Sequence, residues 1–149
     1  MTTITTANTL KTLSNIEELF ARFPTLPRVA LSIRQPWCHF IVSGTKDIEN
    51  RSWHTNFRGP ILIHAAQTIS KASYTDACAC AVEECGIDST SIPAMDNLPR
   101  GGIVGVAEIV DCVTESASSW FFGDYGFVLR KASPLPYVKC LGRLGIFLV

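Results

Sequence analysis

Hydrophobic and polar positions change period several times along the chain, and each change marks an element. Val29 to Ile33 is apolar and β-branched and predicts a strand. Pro36 suits the first turn of a helix, where its missing N–H costs nothing. Trp37, Phe40 and Ile41 then recur at helical spacing, which predicts a buried helical face. Gly44 stands where that helix would end, in a left-handed position that glycine tolerates. Asp47 to Trp53 reads as a strand with Asp47, Glu49, Arg51 and Trp53 on one face. Ile48, Asn50 and Ser52 take the other. Asn56 to Gly59 predicts a turn, and Pro60 to Ala66 a buried strand. Ser70 to Cys85 is alanine-rich and helix-compatible, closed by Gly86.

A polar loop spans residues 87–100, with Pro93 and Pro99. Gly102 to Val113 is the longest β-like run and contains Glu108. Thr114 to Phe122 predicts a short helical turn offering the hydroxyls of Ser116, Ser118 and Ser119. Tyr125 to Arg130 and Leu144 to Val149 supply two further strands. Upstream, residues 1–13 are threonine-rich and expected to be mobile. Ser14-Asn15-Ile16-Glu17 matches a capping box opening a helix through Phe23, which Pro24 and Pro27 end. The expected division is a tail and short helix over residues 1–27 and one domain over 28–149. Six short strands, with helices after the first and third, make an α+β domain with a mainly antiparallel sheet.

Composition narrows the class. Of 149 residues, 47% are apolar and 17% charged, which excludes a disordered chain and suffices for one self-standing core. No apolar run approaches the roughly 20 residues of a membrane helix. The opening MTTITTANTLKTLSN lacks the apolar stretch of a secretion signal. A soluble, cytoplasmic protein without membrane association is therefore expected. Cys38, Cys78, Cys80, Cys85, Cys112 and Cys140 then read as reduced thiols, mostly buried as small hydrophobes. Cys78, Cys80 and Cys85 form no C-x-x-C pair, and three thiols on one helix do not converge tetrahedrally, so neither metal nor cofactor is expected. Cys38 and His39 are adjacent on a helix and point apart, which argues against a catalytic thiol.

Net charge is zero but unevenly spread. Residues 28–58 carry five basic groups against two acidic ones, net +3, whereas residues 59–149 carry six against nine, net −3. A long grip on duplex DNA would call for a much more basic domain. A local electropositive patch suits one or a few phosphates, or a small polar ligand.

The densest chemistry lies in Leu31 to Ala65, where Gly44 to Arg51 has the form G-x-K-x-x-E-x-R. Preceded by Gln35-Pro36-Trp37 and followed by Arg58-Gly59 and Ile63-His64-Ala65, this run resembles the ASCH domain family. The similarity extends through Gly101 to Gly105 and Trp120 to Leu129, up to the C-terminus. It implies a PUA-like small β-barrel of about six strands with flanking helices. It also implies a partner: RNA, or a modified nucleoside or nucleotide held in a small cleft.

Lys46 is the first candidate residue. Beside a turn glycine it reads as a solvated group; packed near Arg51 under aromatic cover it would have a lowered pKa and act as a base or phosphate contact. Glu49 and Arg51 read either as an exposed pair of little worth or as a pair in which Glu49 holds Lys46 or a ligand amine while Arg51 faces an anion or carbonyl. Arg34 and Arg58 are candidates for the same patch. Trp53 is the open aromatic platform, whereas Trp37 and His64 read as core. Glu108 reads as either an outward strand residue or an inward acid.

The resemblance also carries a hydrolase alternative. Some small bacterial relatives cleave acetylated cytidine with the signature lysine, a threonine three residues later and a distant glutamate. Here the lysine is Lys46, but the threonine position holds Glu49, a poorer acyl-accepting nucleophile. If the protein is an enzyme, Lys46 and Glu49 are the expected catalytic pair. A metal-assisted ribonuclease using Lys46 and a serine near Ser118 lacks clear metal ligands. Binding of RNA or a nucleoside is the first expectation and hydrolysis the alternative.

Overall fold

The computed structural model describes residues 11–149. A short helix α1 (Ile16–Arg22) leads into strand β1 (Val29–Ile33), helix α2 (Trp37–Val42), β2 (Ile48–Arg51) and β3 (Gly59–Ala65). Helix α3 (Lys71–Cys85) and two short 3-10 turns separate these from β4 (Gly102–Val113), β5 (Tyr125–Lys139) and β6 (Ile146–Leu148). The six strands form one sheet in the order β2-β5-β4-β3-β1-β6. β1 and β3 run parallel, as a crossover through α2 and β2 permits, and every other pairing is antiparallel.

The sheet curls into a half-barrel, so the fold is α+β and PUA-like, as expected. It does not close: β2 and β6 remain its two edges. Three register shifts between β4 and β5 and one between β3 and β4 supply the bend. Lys131, with φ 53, sits at one of them.

Both faces of the central strands are covered, which is why they read as unbroken apolar runs. Leu31, Ile33, Ile61, Ile63 and Phe127 pack beneath Cys38 and Ile41 of α2. Ala30, Leu62, Ile103 and Val138 pack on the other face with Leu19 and Phe20 of α1. Each such buried Leu, Ile, Val or Phe side chain contributes about 1.5–3 kcal/mol. Gly105 lets α2 lie close, because a Cβ there would stand 2.7 Å from the Ser133 carbonyl oxygen and against Val42.

Several expectations need correction. The cap of α1 is Asn15, which accepts from Glu18 N, one residue later than the Ser14 box. Residues 114–122 form bends and a turn, not a helical segment. β5 continues nine residues beyond Arg130, through Pro134 and Pro136. Prolines normally exclude a central strand, but Pro134 pairs with Gly105 between two register shifts, where the ladder is already interrupted. Cys38 is fully buried, and the other five thiols are partly buried. The threonine-rich stretch expected to be mobile lies largely outside the described residues.

Candidate functional site

The local path from α2 to β2 places the charged residues. Gly44, at φ 85, turns the chain back after α2. Thr45 N and Lys46 N both donate to the Phe40 carbonyl, at 3.1 and 2.9 Å. That turn aims Lys46 inward, where its side chain is 2% exposed. Its Nζ lies 5.5 Å from the Trp37 ring and 5.7 Å from Trp120. It donates to the Ile48 carbonyl and stands 3.5 Å from Glu49 Oε1. Burial lowers the Lys46 pKa from its ordinary 10.5, and the Glu49 carboxylate only partly opposes this.

Glu49 and Arg51 share a face of β2, as strand alternation requires. Arg51 donates to Glu49 Oε2 from Nη2 at 3.0 Å and from Nε at 3.3 Å. The same Nη2 donates to the Ser32 carbonyl at 2.8 Å. Ser32 belongs to β1, which the sheet leaves four places from β2. Arg51 thus links by a side chain two strands that the backbone does not join, and the cluster occupies the open seam of the half-barrel.

A second chain of bonds continues from Ser32. Its hydroxyl is 3.0 Å from His64 Nδ1, and His64 Nε2 is 2.6 Å from the Cys140 carbonyl. A carbonyl only accepts, so Nε2 carries the proton and, in the neutral ring, Nδ1 accepts from Ser32. Burial pushes the His64 pKa down, which favours that neutral form. His64 is therefore a satisfied, buried residue that also forms part of the site wall.

These groups line a cavity of about 1090 Å3 at the seam. Arg34, Lys46, Glu49 and Arg51, all singled out from the sequence, line it, and Trp37, Lys139 and Arg143 line it as well. Five cations thus face one carboxylate, a formal balance of +4. Arg34, Lys139 and Arg143 are exposed and make no side-chain ion pair among the described residues. A smaller cavity of about 600 Å3, on the far side of α2, holds one lysine or arginine only, Arg100.

Two predicted members are absent from this cavity. β2 ends at Arg51 and the chain bends at Ser52, so the alternation does not extend to Trp53. Trp53 packs edge-on to Phe127 instead, with centroids 5.1 Å apart. Arg58 donates to the carbonyls of Thr55 and Phe57 and lies 3.7 Å from Asp111. Trp37 packs against the core, as expected, and its half-buried ring also forms part of the cavity wall.

Other candidates find structural partners. Ser118 donates its hydroxyl to Asp47 at 2.6 Å and caps Trp120 N, which fixes the 116–120 turn. Glu108 faces outward to Arg130 and Lys131, at 3.2 and 3.8 Å. Cys38 donates to the Ile33 carbonyl at 2.7 Å, and burial raises its pKa well above the usual thiol value. No cluster of three or more metal-ligating side chains occurs among the described residues. Nor is any described helix long and apolar enough to cross a membrane. Sequence reasoning missed Lys139 and Arg143. The available signal was Leu141-Gly142-Arg143-Leu144-Gly145, a glycine-flanked arginine between two leucines.

Comparison with known proteins agrees with the fold. The family model of the ASCH domain matches residues 31–135, a range holding Gly44 to Arg51. Activating signal cointegrator 1 of Homo sapiens is 28% identical over 108 residues, covering 72% of this chain and 18% of that protein. Its Mus musculus counterpart is 28% identical over 94 residues, covering 63% of this chain and 16% of the relative. The chain thus corresponds to less than a fifth of either relative's length. With more than half its residues matched by the family model, and with the half-barrel that the sequence resemblance implied, the chain belongs to the ASCH domain family.

Proposed function

We propose that the seam cavity binds RNA, taking a nucleoside or nucleotide unit of it. The observation that carries this reading is the cavity's five cations against one carboxylate, with the half-buried Trp37 ring in its wall. Cations without carboxylate partners attract phosphates. An aromatic side chain and an arginine fork together suit an unstacked base. The +4 balance is confined to this cavity, so the reading favours single-stranded or terminal elements over a long duplex.

A hydrolase acting on RNA or on an acylated nucleoside is the alternative, favoured by one observation. Lys46 has a pKa lowered by burial and lies 3.5 Å from a carboxylate, features of an acid–base pair. Against it, the position three residues after the lysine carries no hydroxyl, and the Lys46 ammonium is already engaged by Ile48 and Glu49.

Titration of short single-stranded RNA and of free nucleosides tests the reading. Log affinity should fall with log salt by about 0.7 per phosphate contacted. Arg34→Ala should weaken binding and reduce that slope by about 0.7. Affinity that is absent, or indifferent to salt, would remove the proposal.

A further inference from the structure

The mouth of the seam cavity carries large apolar side chains beside its cations. Four large hydrophobic residues are exposed among the described residues: Phe122 at 46%, Leu141 at 85%, Leu144 at 99% and Leu148 at 78%. Three of them, all but Leu148, line this one cavity. Single exposed leucines need no explanation, but their convergence on the rim of a cationic cavity does.

The two parts of this rim are held by opposite sides of the seam. Phe122 N donates to Asn50 Oδ1 at 2.9 Å, and Asn50 Nδ2 donates to the Trp120 carbonyl at 2.8 Å, so Phe122 is pinned to β2. Leu141 and Leu144 follow Cys140, whose carbonyl is held by His64 of β3 at 2.6 Å, and they precede β6. Between the two leucines stands Arg143, and just before them Lys139, both without ion-pair partners among the described residues. The deep cations differ: Lys46 and Arg51 both pair with Glu49. Apolar surface and unpaired positive charge therefore coincide at the mouth, while the interior is internally paired.

That division sorts the parts of a nucleic acid. A base suits the interior, where Arg51 and Trp37 present polar and aromatic surface. Phosphates suit the rim cations. Phe122 offers a face to one more base outside, and the leucines cover its sugar or edge. Resting on the RNA-binding reading above, we infer that the ligand is a strand several nucleotides long, with one base in the cavity and the next against Phe122, not an isolated nucleoside. The charge complementarity of Arg34, Lys139 and Arg143 favours a polyanion as the occupant of this apolar lip over an apolar peptide.

The test compares a nucleoside, a mononucleotide, a dinucleotide and a tetranucleotide of single-stranded RNA. Affinity should rise with each step up to the length that spans the lip. Phe122→Ala should shrink the gain from mononucleotide to tetranucleotide by about 5- to 150-fold, the range for a lost base stack. Phe122→Trp should restore it. The joint Leu141→Ala, Leu144→Ala variant should also reduce the gain, and thermal unfolding should confirm that these exposed substitutions leave the fold in place. Equal affinity for mononucleotide and tetranucleotide would overturn the inference while leaving nucleotide binding intact. So would a Phe122→Ala variant that weakens both equally. Absence of binding by every member would remove the RNA-binding reading as well.

Discussion

Lys46 Nζ stands 3.5 Å from Glu49 Oε1, with the two side chains only 2% and 9% exposed. Arg51 holds the other carboxylate oxygen at 3.0 Å. One carboxylate therefore answers two cations where Arg51 of β2 reaches across the seam to β1. A formal positive charge remains after every pair is made. Such a cluster draws in an anion or a carbonyl without leaving a bare buried charge.

Removing the shared carboxylate should be expensive. Glu49→Gln leaves Lys46 and Arg51 close together with no counter-charge, and loss of one partner from a buried pair costs about 3–5 kcal/mol. Urea unfolding should show a loss of that order. Lys46→Met added to Glu49→Gln should recover part of it, because one of the two orphaned charges is gone. A loss below about 1 kcal/mol for the single change would mean that the pair is effectively solvated.

The lowered Lys46 pKa gives stability a definite pH dependence. Its folded value lies below the ordinary 10.5, chiefly through burial. Between these two values the unfolded chain binds the proton more readily than the folded one. Stability should therefore rise with pH through that window and level off near 10.5. Lys46→Met should flatten this limb in melting temperatures measured from neutral pH upward. An unchanged limb in the variant would assign the effect to another group.

On the acid side the sign is the same and the groups are histidines. Burial lowers His64 and His39 from 6.5. As pH falls below 6.5 the unfolded chain takes up protons first, so stability declines toward the lower folded values. His64→Gln should remove part of this decline, and His39→Gln a further part. His64→Gln carries a second readout, because the Ser32–His64–Cys140 chain holds the 140–145 segment at the cavity. Proteolysis in that segment should be faster in the variant.

Strands β1, β3 and β4 and both ends of α3 were legible because the residues alone decide them. Ser70 caps α3 and Gly86 ends it at φ 70, while the apolar runs of β1 and β3 reflect burial on both faces. Lys46, Glu49 and Arg51 were legible through turn and alternation. What escaped depends on tertiary position. Trp53 drops out because β2 stops at Arg51, and a strand end is set by its partner β5. Lys139 joins because the end of β5 pairs with Gly102 of β4, and Arg143 because β6 pairs with β1, which carries residues 140–145 across the cavity mouth. No local pattern announces either event.

The close approach of α2 to the sheet also makes a firm expectation. At Gly105 a Cβ would meet the Ser133 carbonyl oxygen at 2.7 Å and press on Val42. The carbonyl belongs to β5 and cannot swing aside like a flexible side chain. Gly105→Ala should therefore cost about 1–3 kcal/mol, as overpacking does. It should also weaken ligand binding, since α2 carries Trp37. Pairing it with Val42→Ala should recover stability if the clash lies between helix and sheet. No recovery would place the strain wholly at Ser133.

The last expectation separates a binding site from a catalytic one. A hydrolase built on Lys46 needs the neutral amine to face a nucleophile and accept its proton. Burial favours the neutral amine, but the geometry directs Nζ elsewhere, to the Ile48 carbonyl and to Glu49. The position three residues on offers a carboxylate bound by Arg51 instead of a hydroxyl, and Ser118 is committed to Asp47 outside the cavity. The protein should therefore bind nucleotides or RNA without converting acetylated cytidine or short RNA to products. Product formation followed by mass spectrometry, for the native protein and for Glu49→Gln, is the measurement. Sustained turnover by the native protein, lost in a folded Glu49→Gln variant that still binds, would establish Glu49 as an acid or base and replace the binding reading with the enzyme.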